Sequence, residues 1–130
     1  MKYEHAPDIQ EKLQHVVLIL EYHHVKLSEV VCIRAHGTKS RGTIARCHAL
    51  NKVMQKALGR KGFYVLEFLS ERFDSLDEEE QMKIIIHEMM HIPKSFGGGF
   101  VHHNMVTNRN VNKLYQEYKE KTKNESQTFL

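Results

Sequence analysis

The run His87-Glu88-Met89-Met90-His91 restricts this chain more than any other stretch, because its residues belong together only on a helix. Positions i and i+4 lie one above the other on a helical face. His87 and His91 can therefore aim two imidazoles at one point, with the Glu88 carboxylate on the same side. The flanks agree. Ser75-Leu76-Asp77-Glu78 reads as a capping box, Asp77 to Glu80 put negative charge into the first turn, and Pro93 stops the helix just past the second histidine. Met82, Ile85, Ile86 and Met89 supply an apolar face.

In the pattern H-E-x-x-H the two imidazoles suit Zn²⁺, and the glutamate is placed to take the proton of a metal-activated water. A catalytic zinc commonly has three protein ligands and one open position, so a third must come from elsewhere. The extended spacing H-E-x-x-H-x-x-G-x-x-H fails, since Gly97 stands where its last histidine would fall. A downstream acidic ligand would be Glu117 or Glu120, with no further motif behind either. His102 and His103 fit better. They follow Gly97-Gly98-Gly99, which cannot form a stable helix interior and can turn the chain back towards the metal. Spacing alone leaves the choice between His102 and His103 open.

A chain of 130 residues is expected to form one domain, residues 1–130, large enough to bury a core unaided. Ile9, Leu13, Val16, Val17 and Leu20 recur at helical spacing after Pro7-Asp8, which predicts a helix from about Asp8 to His24. Val30 to Ala35 and Thr43 to Leu50 read as two strands of an antiparallel hairpin around a glycine-bounded turn. Asn51 caps a short helix that Gly59 ends, and Phe63 to Leu69 is a third strand. That strand, just before the motif helix, is expected to lie along the cleft as a sheet edge for an extended peptide. Val111, Leu114, Tyr115 and Tyr118 mark a last helix from about Asn108 to Lys121, and residues 122–130 read as a frayed tail. The expected fold is α+β: an N-terminal helix, a small three-stranded, mostly antiparallel sheet, the H-E-x-x-H helix and a C-terminal helix.

Cys32 and Cys47 make no disulfide framework and read as free thiols of a reducing cytoplasm. No apolar run is long enough to span a membrane, and Met1 to His5 has no signal-peptide pattern. The net charge is +3, unevenly spread. From Val30 to Leu66 there is no acid, while Arg34, Lys39, Arg41, Arg46, Lys52, Lys56, Arg60 and Lys61 fall within that stretch. Such a block fits either a solvated surface or an anionic partner such as nucleic acid.

The segment Phe73 to His103 resembles a zincin-like metallopeptidase domain family found in archaea and phages, related in motif to SprT-like proteases. The likeness rests on F-D-S-L-D-E-E-E, then H-E-M-M-H-I-P-K-S-F-G-G-G-F-V-H-H, with upstream support from Ser40 to Arg46 and Phe63 to Glu67. It spans about residues 28–104. The resemblance implies a minimal zincin-like domain and a zinc peptidase acting on a peptide or protein substrate, with Glu88 catalytic. It also implies that the third ligand, beside His87 and His91, is His103. Two other readings stay open: a nucleic-acid-associated protein using residues 34–61, and a closed structural zinc site coordinated by both His102 and His103.

Overall fold

The computed structural model describes residues 1–128. Four strands and five helices follow in the order β1 (Lys2–His5), α1 (Pro7–Ile19), β2 (Val30–His36), β3 (Ala45–Ala49), α2 (Lys52–Leu58), β4 (Tyr64–Leu69), α3 (Ser70–Phe73), α4 (Glu78–Met90) and α5 (Asn108–Thr128). The α+β class agrees with the sequence reading; the sheet does not. It has four strands in the order β1-β2-β4-β3, with β2 and β4 parallel and both outer pairs antiparallel.

The expected β2–β3 hairpin is absent, because β4 lies between the two strands. Burial explains the order. Val30 and Cys32 of β2, with Tyr64, Leu66 and Phe68 of β4, join one apolar cluster with α1, α4 and α5, and Glu67 and Leu69 of β4 are buried as well. The two strands with the most buried residues belong in the middle of the sheet. Strand β3, Ala-Arg-Cys-His-Ala, alternates between half-buried and exposed, which suits an edge. So β3, and not the strand at Phe63 to Leu69, is the edge beside the motif helix. Strand β1 gives no signal in the sequence, because all four of its residues are exposed and carry no apolar rhythm.

Helix α1 buries Ile9, Leu13, Val16 and Val17 and stops short of the expected His24. Its end is a Schellman turn, in which the Tyr22 N–H reaches the Val17 carbonyl at 2.9 Å and Glu21 takes φ +53°. Arg34 fastens this helix to the segment before α4, gripping Asp8 at 2.8 and 3.0 Å and Asp74 at 3.0 Å. Helix α4 is capped by Asp77, whose carboxylate accepts the Glu80 N–H at 2.9 Å; the cap is Asp77 rather than Ser75. It buries Met82, Ile85, Ile86 and Met89 and packs against α1, α5 and β3. Helix α5 continues beyond Lys121 to Thr128, and the last two residues of the expected tail, 129–130, lie outside the described residues.

Candidate metal centre

Helix α4 presents His87 and Glu88 from its last turn, and His91 occupies its C-cap with helical backbone angles, so the i, i+4 relation holds. The Nε2 atoms of His87 and His91 stand 3.3 Å apart. His91 is held from behind. Its Nδ1 donates to the Val101 carbonyl at 2.6 Å, and the Val101 N–H donates back to the His91 carbonyl at 2.8 Å. A carbonyl can only accept, so Nδ1 carries the ring proton and Nε2 turns a bare lone pair towards His87.

The third imidazole arrives on residues 94–103, an irregular strap. His87, His91 and His103 each offer a ring nitrogen, all within 4.8 Å of one another. The His103 ring centroid is 4.7 Å from that of His91 and 5.6 Å from that of His87. Among the described residues, this convergence includes His103 and leaves out His102, Glu117 and Glu120. His102 lines the same cleft, while its carbonyl accepts the Met105 and Val106 N–H groups at 3.1 and 3.0 Å, closing a turn.

The strap is tied down rather than loose. The Tyr64 hydroxyl accepts the Gly98 N–H at 3.0 Å and donates to the Gly99 carbonyl at 2.8 Å. Gln55 Nε2 donates to the carbonyls of Gly97 and Leu50 at 3.0 and 2.7 Å. Gly98 has φ +108°, and a Cβ there would sit 2.7 Å from Gln55 Nε2 and 2.8 Å from the Leu50 carbonyl oxygen, so only glycine fits. Upstream of β4, Gly62 is crowded as severely: a Cβ would fall 1.9 Å from the Phe96 carbonyl oxygen.

The donor set suits a cation. Two nitrogens bound at about 2.0–2.1 Å to one tetrahedral ion stand about 3.3–3.4 Å apart, and the His87–His91 pair already has that separation. Burial, followed by the neighbouring His91 and His103, pushes the His87 pKa down to about 4. Burial also lowers His91. Both rings are therefore neutral at neutral pH, the form that ligates metals. Glu88 is 5% exposed, and burial raises its carboxyl to about 7. One of its oxygens lies 3.9 Å from His87 Nε2. A half-ionised acid beside the imidazole cluster can accept and return a proton near neutrality.

The cleft over these groups encloses about 340 Å³ and is walled by Ala45, Arg46 and Cys47 of β3, by α4, and by Phe100 to His103. The Cys47 thiol is pushed up to about 12 by burial and by Glu88, so it stays protonated. The sequence reading had no signal for β3 as the cleft wall or for Val101, which acts through its backbone. The basic stretch is partly spent inside the fold: Arg34 on Asp8 and Asp74, Arg46 on Glu67 at 3.4 Å, and Arg60 on Glu29. Lys39, Arg41, Lys52, Lys56 and Lys61 are exposed.

Fold and site together define a small α+β domain with a three-histidine candidate metal site and a buried glutamate at its side. A family model described as "Putative phage metallopeptidase" matches residues 1–129, and the chain belongs to that family. The match extends well past the stretch of about residues 28–104 that carries the motif-level likeness. No curated protein and no solved structure matches the chain.

Proposed function

We propose that this protein is a zinc-dependent peptidase in which His87, His91 and His103 hold the metal and Glu88 is the catalytic acid–base. The observation that carries the reading is the convergence of three imidazole nitrogens within 4.8 Å beside a carboxylate that is buried and whose pKa burial raises to about 7. Three imidazole donors suit zinc among the biologically available divalent ions, and three protein ligands leave a position open. Zinc bound there supplies Lewis acidity towards a carbonyl and acidifies water.

The chain's own residues do the rest. The Val101 carbonyl fixes the tautomer of His91. A cation held by the three imidazoles would favour the carboxylate form of Glu88. Glu88 then takes a proton from the attacking water and returns it to the departing amine. An extended peptide or protein segment pairs with the free edge of β3, which brings its scissile carbonyl over the cleft lined by Ala45 and Cys47. Among the described residues no helix is long and apolar enough to cross a membrane. The free thiols of Cys32 and Cys47 support a reducing, cytoplasmic setting.

The test is Glu88→Gln assayed on unfolded protein substrates with zinc present. Metal binding is expected to persist while hydrolysis falls about 10²–10⁴-fold, the usual worth of a general acid–base. Equal rates in the two proteins would remove Glu88 from the chemistry, and a wild type that binds no zinc would remove the reading altogether.

A further inference from the structure

We infer that Tyr64 is a positioning residue for the metal centre: its hydroxyl fixes the strap that brings Val101 and His103 to the site. The inference rests on the three-histidine reading above and goes beyond it, since Tyr64 is far from an H-E-x-x-H helix in sequence and belongs to the sheet.

Tyr64 is fully buried at the start of β4, in the middle of the sheet. Its ring packs edge-on against Phe96, with centroids 4.9 Å apart. A buried phenol needs partners for its polar tip, and both partners here are backbone groups of the strap, Gly98 N–H and Gly99 C=O. These bonds fix two successive residues of a segment that, as a glycine run, has the least intrinsic preference for any one path. Two residues further on, Val101 exchanges two hydrogen bonds with His91. Two residues beyond that comes His103. The hydroxyl thus sets the register of the strap at its most pliable point, immediately before both its contributions to the site. Gln55 adds a separate tie one residue earlier, through the Gly97 carbonyl.

A purely structural hydroxyl would stabilise the fold and leave the affinity of the folded protein for metal untouched. A positioning hydroxyl changes that affinity. The measurement is zinc affinity of the full chain by competition with a chromophoric chelator, at a temperature where every variant is folded by circular dichroism. The visible absorption of the Co²⁺-loaded protein is recorded alongside. Tyr64→Phe keeps the ring packing and removes both bonds. It is expected to weaken zinc binding about 10–100-fold, as loss of outer-shell support does elsewhere, and to alter the Co²⁺ band intensities. Gln55→Ala, which leaves the buried core intact, is expected to weaken binding less and in the same direction. Should Tyr64→Phe not fold, the Gln55→Ala result decides. Wild-type affinity and an unchanged Co²⁺ spectrum in the folded variants would overturn the positioning role while leaving the metal centre standing. A wild type without zinc affinity would overturn both.

Discussion

Helix α4 and the strap of residues 94–103 bring imidazoles to the same point by opposite means. In α4 the second histidine follows from the first through helical geometry, and the helix is fixed by its own cap, its acidic first turn and an apolar face. The strap has no repeating geometry. Its path is set by Tyr64 from β4, Gln55 from α2 and His91 at the end of α4, each from a different element. A site assembled this way has one half that forms with its secondary structure and another that exists only when the sheet is in place. Damage to the strap should therefore reach the metal without touching the helix, and damage to the helix cap should cost stability without reaching the metal.

The strongest break in the comparison is Gly98→Ala. Its positive φ and the contacts a Cβ would make are expected to cost about 3 kcal/mol, read by urea denaturation of the metal-free protein, together with a loss of zinc affinity. Next is Glu88→Gln, with the opposite sign. Burial raises the folded Glu88 carboxyl from 4.5 to about 7. Its ionised form therefore penalises the fold above about pH 7, and the penalty fades as pH falls through that value and is gone near 4.5. The metal-free variant should be more stable than wild type by on the order of 3 kcal/mol at pH 8, with little difference at pH 4.5. A gain that does not depend on pH would contradict the burial origin of the shift. Asp77→Ala removes the α4 cap and should cost about 1 kcal/mol while leaving zinc affinity unchanged, since the cap lies at the far end of the helix from His87 and His91. The smallest effect belongs to Gly99→Ala. Nothing lies within 4 Å of the Cβ position, so stability should stay within about 0.5 kcal/mol. A large loss there would mean that the whole glycine run, and not Gly98 in particular, is under constraint.

The same division explains what could be read in advance. The α4 half of the site was legible because its signals are local: a four-residue repeat, a run of acids and a proline. The family-like order of glycines and histidines pointed to His103, and the structure brings that ring into the cluster. The sheet order was not legible. Val30 to Ala35, Thr43 to Leu50 and Phe63 to Leu69 each read as strands, but which pairs with which depends on how much apolar surface each must cover, a property of the assembled layers. Lys2 to His5 is held by backbone pairing to β2 and carries no side-chain pattern at all. Tyr64 read only as an aromatic strand residue, because the use of its hydroxyl appears once Gly98 and Gly99 are folded against it.

The close approach of Gly62 to the Phe96 carbonyl sets a limit on how this lineage can vary. Any relative with a side chain at that position must carry its strap along another route, by an insertion, a deletion or a shifted aromatic anchor. Paired change at these two positions, thirty-four residues apart, is therefore the mark to look for wherever the distance between the H-E-x-x-H helix and its last histidine is found to differ.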